Sequence, residues 1–184
     1  MSVVTLVEPA RADPSLKGTL SAAEQRFGAI PNFVKALANN PEICRPIADF
    51  MLESLRPGQV DWGLRELLVL RMLRATNTDY GVAHHERLAR DLGVSPERIA
   101  DVKADAWRRS PHFTGPERTL LEFVEQVAVD ANDVGDDLWA RLNAQWRPEQ
   151  IVEVSMTVTT FLMIGKMGDA LGVDDPVLFA KAPQ

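Results

Sequence analysis

The chain holds one cysteine, Cys44, in 184 residues. That excludes an intrachain disulfide, leaves no cysteine cluster for zinc or an iron–sulfur centre, and fits a reducing cytoplasm. There is no block of Lys and Arg, and 20 basic residues face 26 acidic ones for a net charge of -6. This balance argues against nucleic acid or an anionic membrane surface as the main partner, leaving small molecules and other protein chains. The N-terminal MSVVTLVEPARADPS lacks a basic start followed by an apolar core, so no secretory signal is expected. The longest uncharged apolar run, Val154 to Gly165, falls short of the roughly 20 helical residues that cross a bilayer, and reads as a buried helix of a soluble protein. Strand signals are scarce and no segment recurs with a fixed period.

What is present is hydrophobic content, 46% of the chain, enough for one well-buried domain. Residues 1–14, with Pro9 and Pro14, read as an irregular arm, and 15–184 as a single all-α domain. Helices are expected from about Leu16 to Phe27, with Gly28 ending the first; from Pro31 through NFVKALANN; and from Pro41 to Pro57, with Pro46 bending its early turns. Further on, Ser95-Pro96 caps a short helix, 108–115 forms a loop, and Pro116, Asp136 and Pro148 open the last three. The final helix is apolar almost all round, so it is central to the fold or shared with another subunit. Met156, Met163 and Met167 on one side of it read as core or subunit contact, in keeping with the gap-filling character of Met.

The stretch from Trp62 to Leu92 carries the chemistry. Asp61 is a suitable N-cap, and Thr76, Asn77 and Thr78 stop the helix that follows. At 100° per residue Trp62, Glu66, Val69, Leu70 and Leu73 share a face, with Arg71 and Arg74 leaving toward another. In the next helix Gly81, His85, Leu88, Ala89 and Leu92 align, with His84 at the edge of that stripe beside Tyr80. Glu66 and His85 therefore each occupy an apolar face, where an unpaired polar group costs several kcal/mol as an order of magnitude. Glu66 could be a structural carboxylate paired with Arg65 or Arg71, and His85 a satisfied core histidine. No metal site is expected: adjacent His84 and His85 point about 100° apart and do not converge as an i, i+4 pair does. His112 sits in a proline-flanked loop and reads as solvent-exposed. The acidic DANDVGDD lacks calcium-loop spacing and reads as caps and solvation.

Glu66, twelve residues, Thr78, three residues, Gly81, four residues, His85, followed by LARDLGVSPERIADV, resembles the core of the carboxymuconolactone decarboxylase and alkylhydroperoxidase D-like superfamily. FGAIPNFVKALANNPEI upstream, with GPERTLLEFVEQVA, EQIVEVSMTVTTF and DALGV downstream, extends the similarity over roughly Phe27 to Gly172. The resemblance implies an alkylhydroperoxidase D-like helical fold and a homo-oligomer, trimer or hexamer. It also maps the Glu, CxxC and His of the thiol-dependent members onto Glu66, Thr78, Gly81 and His85. Neither Thr nor Gly forms a sulfenic acid or a disulfide, so thiol peroxidase activity is not expected.

What the resemblance leaves is a cofactor-free acid–base enzyme, of decarboxylase/lyase or isomerase type, acting on a small lactone or carboxylic substrate. Glu66 and His85 would be catalytic, with Tyr80, His84, Thr78 and Gly81 binding substrate. Burial alone raises a carboxylate's pKa and lowers an imidazole's, whereas pairing does the reverse, and either way acid–base work near neutral pH is available. The competing expectation is a non-catalytic ligand-binding or structural oligomer. An open cavity between Glu66, His85 and Tyr80 would favour the enzyme, and a filled core there the scaffold.

Overall fold

In the computed structural model, described for residues 2–54, 56 and 58–173, nine α-helices run in the order α1 (Lys17–Phe27), α2 (Asn32–Leu37), α3 (Pro41–Ser54), α4 (Trp62–Ala75), α5 (Val82–Asp91), α6 (Pro96–Lys103), α7 (Gly115–Asp130), α8 (Asp136–Gln145) and α9 (Pro148–Leu171). No strand occurs among the described residues. The helix boundaries follow local chemistry. Asp61 accepts from the Leu64 amide, Ser95 from that of Arg98, and Thr114 and Glu117 close a reciprocal capping box at the start of α7. The third helix contains Pro46 and ends at Ser54, so its expected end at Pro57 falls outside the described residues.

The helices assemble around two apolar cores. One is built on α4 with α6, α7, α8 and the first half of α9; the other joins α1, α2 and α3 to Leu88 of α5 and Ile164 of α9. Phe161 packs against both. The N-terminal arm is tied across the second: the Val3 amide donates to Leu171 O, the Val7 amide to Lys35 O, and Asn39 to Thr5 O.

The buried axis is α4, packed against α5, α6, α7 and α9. It is buried continuously from Gly63 to Leu73, including Arg65 and Arg71. Arg71, which the spacing turns toward another face than that of Glu66, is buried there as well. Its guanidinium stays inside because Glu125 (2.9 Å) and Asp105 (3.2 Å) meet it there. Arg65 is held by Glu153 at 3.3 Å and by the carbonyls of Arg56 and Ser54. Buried charges survive only when paired and hydrogen-bonded in this way. The last helix, α9, is long and apolar enough by length and composition to cross a membrane, and here it packs on α4, α7 and α3. Its Met163 and Met167 join the second core, while Val152 and Met156 remain exposed.

Candidate functional site

The break between α4 and α5 sets the site. The first of these ends in a Schellman motif: the Asn77 amide donates to Arg74 O, the Thr78 amide to Leu73 O, and Asn77 takes the left-handed conformation at φ 48°. Gly81 precedes α5 at φ 84°, a conformation that side-chain-bearing residues rarely adopt. The C-terminal half of α9 clamps the turn between them. Lys166 Nζ donates to Thr76 O at 2.7 Å, and Asp169 accepts from the amides of Tyr80 (2.9 Å) and Asp79 (3.3 Å).

This geometry folds α5 back along α4 and brings His85 onto Glu66. His85 Nδ1 lies 2.6 Å from Glu66 Oε2, with side chains 6% and 3% exposed. One helical turn before Glu66, the Trp62 indole donates to Oε1 at 3.0 Å. Each carboxylate oxygen is thus committed to one partner, and neither buried arginine of α4 is that partner. The structural pairing of Glu66 with Arg65 or Arg71 is ruled out by geometry, since both guanidiniums are engaged elsewhere. An ionised Glu66 accepts from Trp62 and from Nδ1–H, which leaves the His85 Nε2 lone pair as the open position of the pair.

A cavity of about 60 Å³ opens beside the pair. Its walls include Trp62, Glu66 and Leu73 of α4, Gly81 ahead of α5, His84, His85 and Leu88 of α5, Tyr80, and Phe161, Ile164 and Gly165 of α9. Arg26, Phe27, Pro31, Phe33 and Met51 close it from the N-terminal helices. It lies at the seam between the two cores. Phe161 stands perpendicular to His85, with centroids 4.6 Å apart at 87°, and His84 meets His85 edge-on at 5.3 Å. Burial, then the neighbouring His85 and Arg87, push His84 down to about 3, so it is neutral at physiological pH. A Cβ at Gly81 would lie 3.4 Å from His85 Cδ2 and 3.7 Å from Nε2. The missing side chain therefore leaves room against the open edge of the imidazole.

Of the six residues singled out in the sequence, Glu66, His85, Tyr80, His84 and Gly81 line the cavity and Thr78 does not. The Thr78 hydroxyl is 2.9 Å from that of Thr76, and its methyl group packs against Gly165, so its expected contact with substrate is corrected. Sequence reasoning missed Arg26, Phe27, Pro31, Phe33, Met51 and Phe161, for which periodicity gave no signal. The pair Gly165 and Gly168 did leave one: two glycines three apart in a long apolar helix mark a close approach. Thr78 lies against the first and the Tyr80 ring against the second. Cys44 is buried in α3 and is not part of the cavity wall; burial, then Asp49, raise its thiol above the ordinary range. Among the described residues no group of three or more His, Cys, Asp or Glu side chains could hold a metal ion.

Comparison with known proteins agrees on architecture. Residues 41–126 match the model of the carboxymuconolactone decarboxylase family. The debrominase Bmp8 shares the fold with a TM-score of 0.79 at 16% identity, over 94% of this chain and 91% of that one; a cysteine-to-alanine variant of that debrominase has been seen with 2,3,4-tribromopyrrole. An alkylhydroperoxidase AhpD core protein from Ralstonia eutropha JMP134, described as an uncharacterized peroxidase-related protein, aligns with a TM-score of 0.80 at 18% identity, over 95% and 92%. A peroxidase-related protein from Silicibacter sp. TM1040 follows at 0.77 and 17%, over 95% and 93%. At these identities the likeness shows the fold. No curated protein matches by sequence.

Proposed function

From the premise that this chain is an alkylhydroperoxidase D-like fold with a carboxymuconolactone decarboxylase family segment at 41–126 and no CxxC pair, we propose that it is a cofactor-free acid–base enzyme acting on a small organic substrate. The observation that carries this reading is the buried 2.6 Å Glu66–His85 hydrogen bond opening on a cavity. His85 Nε2 is the proton-moving atom. Glu66 receives Nδ1–H, fixes the tautomer and offsets the charge that His85 gains on taking a proton, while Trp62 holds the far carboxylate oxygen. A carbon or oxygen acid of a lactone or carboxylic compound, seated in the space left by Gly81, would give its proton to Nε2 and receive it back at a second position. The outcome is isomerisation, or loss of carbon dioxide where the carbanion forms by that route. Neutral His84 and the Tyr80 ring line the substrate.

Thiol peroxidation has no place in this scheme. The two positions that carry thiols in the redox members are Thr78 and Gly81, and Cys44 sits in another helix. The scaffold alternative predicts a filled core at the Glu66–His85 pair, and the cavity there supports the enzyme. Exposed Phe50 and Met156, which share a groove, support working as a homo-oligomer, which light scattering would test.

The test is solvent deuterium exchange into a panel of small lactones and carboxylic acids, followed by mass spectrometry, with Glu66→Gln and His85→Gln as controls. Loss of roughly 100-fold or more in exchange rate on removing His85 is expected of a general base. Exchange undiminished in both variants would remove the proposal.

A further inference from the structure

The Glu66–His85 cavity lies where two units of the chain meet. Helices α1, α2 and α3 pack on one another, and their main packing on the later helices is that of α3 on α9. Across the seam their core rests on Leu88 of α5 and Ile164 of α9, both of which also line the cavity. Partly buried Phe161, Met163 and Met167 complete that contact, and methionine side chains repack at small cost. The seam therefore runs through the cavity. Parting it uncovers a pair whose side chains are otherwise only 6% and 3% exposed.

The seam is fastened at both ends of α9 by different means. Near the first turns of α9 the chain leaves the N-terminal helices and is anchored: Arg65 donates to the carbonyls of Ser54 and Arg56, both at 3.0 Å, and Glu153 accepts from the amides of Gln59 and Val60. A buried guanidinium and a carboxylate make this the fixed edge. At the other end Leu171 O, one of the carbonyls that a helix terminus leaves without an intrahelical partner, accepts from the Val3 amide at 2.9 Å and from Ser2 Oγ at 3.3 Å. The arm that carries Ser2 and Val3 belongs to the N-terminal unit, since Val7 donates to Lys35 O, Asn39 to Thr5 O, and Glu8 pairs with Lys35 at 3.1 Å. Glu153 and Leu171 stand about 27 Å apart along the helix at 1.5 Å per residue. The cavity wall of Phe161, Ile164 and Gly165 falls between them.

We propose that α1–α3 form a lid on the cavity, with Ser2 and Val3 on Leu171 as its latch and the Arg65–Glu153 anchorage as its fixed edge. Such a unit opens below the free energy of global unfolding. That opening admits substrate rests on the acid–base reading; the opening itself does not. The test is the rate of thiol labelling by dithiobis(nitrobenzoate) in the full chain, with Cys44→Ala as background and Leu88→Cys or Ile164→Cys as seam reporters. Val158→Cys, 1% exposed in the first core on the same helix, is the reference. The seam reporters should label at least tenfold faster than the reference. Val3→Pro, which removes the latching amide, should speed them a further roughly fivefold, the worth of one net hydrogen bond, and leave the reference unchanged. Glu8→Gln, which loosens the arm on its own side of the seam, should change neither. Native Cys44, whose Sγ lies 3.8 Å from Val34 O between α3 and α2, should not be accelerated by Val3→Pro, because the lid moves as a body. Seam reporters no faster than the reference, no response to Val3→Pro, equal acceleration of all sites including Cys44, or Glu8→Gln acting as strongly as Val3→Pro would overturn the proposal. No substrate enters these measurements, so deuterium exchange undiminished in Glu66→Gln and His85→Gln removes the enzyme and leaves the latch standing, while failure of the labelling pattern does the opposite.

Discussion

Gly168→Ala should destabilise the protein, against the ordinary sign of that substitution, and the reason is one ring. A Cβ at position 168 would stand 2.4, 2.6 and 2.7 Å from Cγ, Cδ2 and Cδ1 of Tyr80. Carbon atoms in good contact sit about 3.5–4.0 Å apart, so three ring atoms would have to retreat by about 1 Å. Retreat is hindered because the Tyr80 backbone amide is fastened to Asp169, the next residue of the same helix. Overpacking of this kind costs about 1–3 kcal/mol, whereas Gly→Ala inside a helix otherwise stabilises by about 0.5–1 kcal/mol. At about 2–4 °C per kcal/mol for a chain of this size, the single variant should melt several degrees lower. In a Tyr80→Ala background the obstruction is gone, and Gly168→Ala should become neutral or stabilising. Thermal unfolding followed by circular dichroism, over the double-mutant cycle, reads the change of sign. Gly168→Ala raising the melting temperature in both backgrounds, or lowering it equally in both, would show that the ring is not wedged against α9.

Three other outcomes follow from the same geometry. Gly81→Ala forces a side chain into φ 84° at a cost of about 1–2 kcal/mol, and it also crowds the open edge of His85; a melting temperature lower by several degrees is expected, measured by calorimetry, and an unchanged one would contradict the strain argument. His84 has a folded pKa of about 3 against 6.5 unfolded, so the unfolded chain binds more protons between those values. The stability it contributes is present above about pH 6.5 and is lost as pH falls toward about 3, at up to about 1.4 kcal/mol per pH unit; urea unfolding of His84→Gln across that window should show a shallower acid slope, and an unchanged slope would contradict the assignment. Arg65→Ala removes a guanidinium only 3% exposed and strips Glu153 of its cation, so a loss of about 3 kcal/mol is expected in chemical denaturation, with a conservative Arg65→Lys recovering only part because the fork also serves two carbonyls.

The amino-acid sequence by itself determined the helices and singled out Glu66 and His85. Caps at Asp61 and Ser95, the stop at Thr76, Asn77 and Thr78 and the glycine at 28 are local chemistry, and local chemistry is legible in order along the chain. Glu66 and His85 were legible because each breaks an apolar stripe, an exception that periodicity exposes. Tertiary structure decided the rest, because it depends on which surfaces meet. Only packing shows that Arg65 and Arg71 spend their charge on Glu153, Glu125 and Asp105, leaving Glu66 to His85 and Trp62. Only packing turns Thr78 away from the cavity onto Gly165, and brings Arg26 to a wall 40 residues distant from Glu66 in sequence. A helix face announces what it buries, but the identity of the partner across the seam is a long-range property that no spacing within one helix encodes.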